Sequence, residues 1–280
     1  MNTRWIAIAA LAISPACLLA ADGTFDKTLH VSGTPMLSIS TGSGYIHVSP
    51  GSDSEIHIVG HVHANRWGDW GGSPEDRVKE VVSNPPIEQS GNVITVGKHE
   101  NYHNISIDYE VTTPRGTNLE ANSGSGDLRI SDLGGSLKAG TGSGSIEANG
   151  LSGRVSLETG SGDIHADMHS APDVKAQTGS GSIRLQGVTG GLYAETGSGD
   201  IEVSGQPGSN WKVETGSGSV TLNTGSSKFS LDATTGSGSI HSDPPISVHG
   251  SLERHHIMGD VNGGGVTVRV ETGSGDVRIH

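Results

Sequence analysis

One tripeptide, Gly-Ser-Gly, returns along this chain at a nearly constant step, and that step limits the fold more than any other feature. Its first glycine falls at 42, 124, 142, 160, 179, 197, 216, 236 and 273; from 124 to 236 the intervals are 18, 18, 19, 18, 19 and 20 residues. A fixed period in this range marks a solenoid, whose repeats bury their apolar faces only against their neighbours. Composition alone would read otherwise. With 44 glycines in 280 residues and 32% apolar content, the chain resembles a disordered one until the glycines are seen to be periodic.

The residues flanking each Gly-Ser-Gly assign the secondary structure. Five positions before its first glycine stand Leu119, Leu137, Val155, Val174, Leu192, Trp211, Leu231 and Val268. Three before it stand Ala121, Ala139, Leu157, Ala176, Ala194, Val213, Ala233 and Val270; four after it, Leu128, Ile146, Ile164, Ile183, Ile201, Val220, Ile240 and Val277. Apolar residues two apart on both sides of a corner mean two short strands, each with one buried face. The expected fold is therefore all-β: a single-stranded parallel β-solenoid with coils of about 18–20 residues and two strands per coil. Glycine suits the corner because it allows positive φ and close approach of stacked backbones.

Outward positions carry charge in a mixed order. Arg129 and Glu147, and Arg184 and Glu202, fall one coil apart and are expected to pair. The residue closing each corner runs Asp127, Ser145, Asp163, Ser182, Asp200, Ser219, Ser239, nearly alternating, which keeps carboxylates from stacking on successive coils. The step from 236 to 273 is filled by a segment, Ser251-Leu-Glu-Arg-His-His-Ile-Met-Gly-Asp-Val-Asn-Gly263, that reads as a degenerate coil. Gly259, Asp260 and Val261 stand there for the usual corner ending, and Leu252 for the buried position. The last residues, Asp276–His280, read as a strand, so an unpaired edge and self-association through it are expected.

Residues 1–21 read as a secretory signal peptide: Arg4, an apolar run from Trp5 to Leu19, and small residues Ala20 and Ala21 at the cleavage point. The run is shorter than a bilayer-spanning helix, and no second run is present. The expected location is periplasmic or extracellular. Cys17, the single cysteine, is a secondary candidate for lipidation, because Ser14-Pro15-Ala16 before it makes a poor lipobox. Loss of Arg4 takes the formal charge from −13 to −14, which opposes binding to nucleic acid. Residues 22–117 form an N-terminal cap that includes the first coils. Ser73-Pro74-Glu75-Asp76 and the Val78, Val81, Val82 spacing predict one short helix there. Residues 118–280 form the regular solenoid, continuous with the cap.

The step Pro114-x-Gly116-Thr117-x-Leu119 leads into tandem SGSGDL and TGSGSI coils, behind a helix, a strand pair and a signal peptide. This arrangement resembles the bacterial putative-adhesin family of unknown function and is similar to autotransporter-type adhesin head domains. The resemblance implies an envelope β-solenoid and carries no catalytic residues with it. A non-enzymatic adhesin or scaffold binding an envelope protein or polysaccharide is the leading expectation. A polysaccharide hydrolase or lyase, or a calcium- or zinc-binding repeat protein, is the alternative.

No catalytic residue and no cofactor is assigned. His99-Glu100-Asn101-Tyr102-His103 has the H-E-x-x-H form, but strands on both sides leave no room for the helix that zinc binding needs. His255, His256 and Asp260 are the other weak metal candidates. GSGD lacks the second ligand turn of calcium-binding nonapeptide repeats. Trp67 and Trp70 form the best exposed aromatic pair for a ligand or partner. The repeated Thr and Ser of the corners could form a hydroxyl lattice of the ice-binding kind, although a glycine turn is not a flat face.

Overall fold

The computed structural model describes residues 21–64, 73–97, 104–249 and 255–280. Residues 1–20 with Cys17, the Trp67 and Trp70 pair, the H-E-x-x-H segment and Leu252 all lie outside the described residues. The chain forms a twelve-stranded and a thirteen-stranded sheet, facing each other across one continuous core.

The predicted coils are present, and their registers are those of the apolar columns. Leu137 pairs with Leu119 on one side and Val155 on the other, and the column continues through Val174, Leu192 and Trp211. Across the corner, Leu128, Ile146, Ile164, Ile183, Ile201 and Val220 stack likewise in the second sheet. These side chains are between 0 and 4% exposed, so the core is a narrow seam, filled at every level. Trp211, its largest member, donates its indole N–H to Gly190 O at 2.8 Å.

The corners need glycine for space, not for dihedral freedom. None of the Gly-Ser-Gly glycines has positive φ. A Cβ built on Gly162 would sit 1.9 Å from Gly144 O, and one on Gly160 would sit 2.4 Å from Gly142 O. Each corner thus lies directly on the backbone of the one beneath.

The threonine before each corner points inward, which removes the hydroxyl-lattice reading for that column. Thr159 is 3% exposed; its Oγ1 donates to Gly144 O at 2.8 Å and accepts from Gly162 N–H at 3.2 Å. Thr141 and Thr178 repeat both bonds, and Ser123 makes them in an early coil. A single hydroxyl therefore ties its own corner to the previous one and satisfies a carbonyl and an amide that would otherwise be buried without partners.

The cap grows from the coil of Met36–Thr41 and Ile46–Pro50, which stacks directly on Asn118–Ser123 and Leu128–Ser131. The intervening chain folds beneath that coil. Ile105–Thr113 pairs parallel to Ile46–Pro50 and antiparallel to Glu55–Ala64, which in turn carries Ala21–His30. The predicted helix spans Pro74–Ser83, with Ser73 Oγ accepting from Asp76 N–H at 3.1 Å. Val78 and Val81 are buried, and the helix sits so close to Ala21–His30 that a Cβ on Gly23 would meet Val78 at 2.5 Å.

At the other end the chain departs from its own order. The coil formed by Val266–Ser274 and Val277–Ile279 does not follow the coil of Phe229–Thr235 and Ile240–Ser242 in space. It lies between that coil and the earlier one of Trp211–Ser217 and Val220–Asn223. Two expectations fall with this. Val277–Ile279 is an interior strand, not an edge, because Ile240–Ser242 covers its outer side. The Gly259-Asp260-Val261 stretch is not a degenerate coil either. His256–Val261 runs antiparallel to both Phe229–Thr235 and Ile246–Val248, and Ile246–Val248 forms the edge of the thirteen-stranded sheet.

The inserted coil also repairs the corner alternation. In space the closing residues read Asp127, Ser145, Asp163, Ser182, Asp200, Ser219, Asp276, Ser239, without a break. Each carboxylate accepts the amide N–H of the serine one coil on: Asp127 from Ser145 at 2.9 Å, Asp163 from Ser182 at 2.8 Å, Asp200 from Ser219 at 2.8 Å and Asp276 from Ser239 at 3.0 Å. Repulsion between stacked carboxylates is half of the reason for the alternation. The other half is that the carboxylate serves as a side-chain acceptor for the next corner.

Candidate functional site

The outer surfaces of the two sheets are where this fold can meet another molecule, since the interior is filled. On the thirteen-stranded sheet, outward residues two apart in a strand fall into columns along the rod. One column carries Lys138, Ser156, Lys175, Tyr193, Lys212 and Arg269; the next carries Glu158, Gln177, Glu195, Glu214 and Glu271. Basic groups therefore flank acidic ones within single strands. Lys212 Nζ lies 2.8 Å from Glu214 Oε2, and the Arg269 guanidinium is in contact with Glu271.

Gly191 interrupts this surface. Without a side chain there, the face dips into a groove of about 610 Å³ lined by Arg154, Asp173, Lys175, Tyr193, Ser209 and Asn210, among others. Arg154 and Asp173 are paired at 3.0 Å on one wall. Tyr193 stands on the other, with Lys212 Nζ 5.4 Å from its ring centre and its hydroxyl donating to Glu195 at 2.7 Å. That hydrogen bond, then burial and the neighbouring carboxylates, pushes the Tyr193 phenol up to about 12. The same bond, with one from Gln177, holds the Glu195 carboxyl below its ordinary value.

On the twelve-stranded sheet a second groove, of about 460 Å³, runs over Asp163, Ser182, Asp200 and Ser219. The expected ion pairs border the corner ladder: Arg184 with Glu202 at 2.9 Å, and Arg129 with Glu147 at 3.5 Å. The carboxylates along its floor already accept backbone amides, so they are poorly placed to gather a calcium ion. Nearer the cap, Tyr45, His47, Glu110, Asp127 and Arg129 line a third hollow of about 360 Å³.

The structure does not bring the histidine candidates together. His256 Nε2 meets Asp232 at 2.9 Å, whereas Asp260 is taken by His249 at 2.8 Å and by Ser230 at 2.7 Å. His255 is exposed on the adjoining turn. His57, His61 and His63 lie on one face of Glu55–Ala64: His57 beside Asp26 at 2.7 Å, His61 beside Glu110 at 3.8 Å, and His63 between Asp22 at 2.9 Å and Asp108 at 3.3 Å. Among the described residues no three His, Cys, Asp or Glu side chains converge as metal ligands.

A general acid for glycoside cleavage needs a carboxyl pushed upward by an apolar setting or by a second carboxylate. Every described carboxyl with a displaced pKa is displaced downward. Glu120 is held by Lys138, Glu195 by Tyr193, Asp243 by His280, Asp260 by Ser230 and Asp276 by Ser239. Sequence reasoning missed the groove at Gly191. The signal was a glycine at an outward position beside the outward Tyr193, inside an otherwise regular coil.

No described helix is long and apolar enough to cross a membrane. No curated protein matches the chain. Among solved structures, a putative adhesin from Bacteroides fragilis NCTC 9343 is 11% identical over 92% of this chain and 97% of its own, with a TM-score of 0.43. A putative cell adhesion protein from Clostridium sporogenes ATCC 15579 is 14% identical over 92% and 99%, with a TM-score of 0.29. A putative adhesin from Parabacteroides distasonis ATCC 8503 is 12% identical over 92% and 97%, with a TM-score of 0.28. Likenesses this distant carry no argument about function. The sequence family described as Toastrack DUF4097 matches residues 72–280, three quarters of the chain, and the protein belongs to that family.

Proposed function

We propose that this protein is an exported, non-enzymatic binding module of the cell envelope, adhesin-like in role, which holds an envelope polysaccharide along the groove at Gly191. The observation that supports this reading best is the groove itself, where Tyr193, Asn210 and the Arg154–Asp173 pair lie together on an outer sheet face. Beside it, Tyr193 and Gln177 hold the Glu195 carboxyl in its ionised form, which suits accepting hydrogen bonds more than donating a proton. An open groove lined by an aromatic ring, an amide and paired charges offers a sugar chain a stacking face and hydrogen bonds without enclosing it.

The test is co-sedimentation of the protein with isolated envelope polysaccharide, beside an assay for new reducing ends and unsaturated products. The expected result is retention of polymer of unchanged length, weakened at least about tenfold by Tyr193→Ala, on the scale of one lost aromatic contact. Release of shortened or unsaturated fragments would replace this reading with the hydrolase or lyase one. Retention by envelope protein alone would move the ligand class.

A further inference from the structure

The out-of-order coil has a consequence for how copies of this chain meet. Val266–Ser274 and Val277–Ile279 fill a slot whose two walls are earlier parts of the chain. On one side Trp211 and Val213 pair with Val268 and Val270; on the other, Leu231 and Ala233 do. In the second sheet, Val220 and Ile240 flank Val277. Val268, Val270, Val277 and Ile279 are fully buried.

The corner chemistry runs unbroken through the slot. Thr272 Oγ1 donates to Gly218 O and Thr235 Oγ1 to Gly275 O, both at 2.8 Å. Asp276 accepts from both the amide and the hydroxyl of Ser239. A slot between Ser219 and Ser239 calls for an aspartate, and this segment supplies one.

The connection into the slot is short and conformationally special. Asn262, Gly263 and Gly264 have φ of 53°, 102° and 78°, three left-handed residues in succession that turn the chain back from His256–Val261. Extending that hinge would free the whole coil, and an identical coil would satisfy every contact in the slot. Exchange of one element between identical chains makes no new interface, so the closed and exchanged forms differ only in hinge conformation and association entropy.

We propose that residues 266–280 form an exchangeable coil, and that a second copy of this chain can supply it in trans to give an exchanged dimer. The hinge sets the balance: left-handed glycines favour the closed monomer, and any residue that disfavours positive φ at 263 and 264 favours exchange.

The test uses Thr221 and Arg278, which face each other in register and point outward. In a Cys17→Ser background, Thr221→Cys and Arg278→Cys are made separately, mixed, unfolded, refolded at high concentration and oxidised. The expected result is a disulfide-linked dimer in the mixture that neither variant forms alone, with the same pairing closing within one chain in the double variant. Gly263→Val with Gly264→Val should shift the monomer–dimer balance at least about tenfold toward dimer, as seen by light scattering. Failure of the mixed variants to cross-link at any concentration, while the double variant closes within the chain, would overturn exchange. Failure of the double variant to close would overturn the slot itself. Because neither readout involves a ligand, both outcomes are separate from the fate of the polysaccharide reading.

Discussion

Gly162→Ala should be among the most damaging single-methyl changes available in this protein. The added Cβ would lie 1.9 Å from Gly144 O and 2.5 Å from its carbonyl carbon. Relieving that contact takes more than an ångström of separation between two coils that are hydrogen-bonded on both sides of the corner. Rotation of a flexible side chain cannot help, because the obstacle is backbone. Overpacking a core typically costs about 1–3 kcal/mol, and a rigid backbone obstacle places this case at or above the upper end, about 3 kcal/mol. For a domain of this size that corresponds to a fall in melting temperature of roughly 6–12 °C. Gly42→Ala is the control. Gly42 is the first glycine of its corner, where Gly162 is the second of its own, and a Cβ on Gly42 meets nothing within 4 Å, with a φ outside the left-handed range. It should shift stability by no more than about 0.5 kcal/mol. Thermal unfolding followed by circular dichroism gives both values. If the two variants melt within a degree or two of each other, the corner glycines are not there for backbone contact, and the stacking argument is wrong.

The threonine column gives a second expectation. Thr159→Val keeps the shape but strands Gly144 O and Gly162 N–H, so it should destabilise by about 1–3 kcal/mol, whereas Thr159→Ser, the residue found naturally at 123, should recover most of that in urea denaturation. Acid dependence gives a third. The carboxyls of Glu120, Glu195, Asp243, Asp260 and Asp276 titrate lower in the folded chain than their ordinary values, so the stability they contribute is present above the unfolded value and lost as pH falls through the folded one. Melting temperature should therefore drop below roughly pH 4. Asp276→Asn keeps an oxygen facing Ser239 but has no charge to lose, so its melting curve should respond less to acid than the parent's; an equal response would remove Asp276 from the account.

The regular part of the fold was legible because a strand has a period of two and a corner has a signature. Val155 with Leu157, and Ile164 with Ala166, define one coil completely. Ser73 followed by Pro74, Glu75 and Asp76 defined the helix start through its capping chemistry. The order of the coils was not legible, because residue periodicity counts positions along the chain and is silent about which slot a coil occupies. Two traces of the skip were nevertheless present. The step from 216 to 236 is the longest of the series at 20 residues, giving the chain extra length to rise past a coil not yet formed. Ser219 and Ser239 also break the Asp–Ser alternation at the same place. The inward turn of the threonine hydroxyls was hidden for a different reason: Thr serves equally well on either face of a strand, and only the neighbouring carbonyl decides. The groove at Gly191 depends on a missing side chain among charged neighbours, which no motif records.

The inserted coil also governs how this rod would behave under tension. The outermost coil of an ordinary solenoid has one neighbour, so a pull on its free end peels it away and breaks one ladder a bond at a time. Residues 266–279 are held on both sides in both sheets. A pull along them must shear two ladders together, and the load spreads at once to the coils on either side. This coil is therefore held as in a clamp: under a pull it should yield at high force in one abrupt step, whereas a coil with one neighbour would unravel gradually.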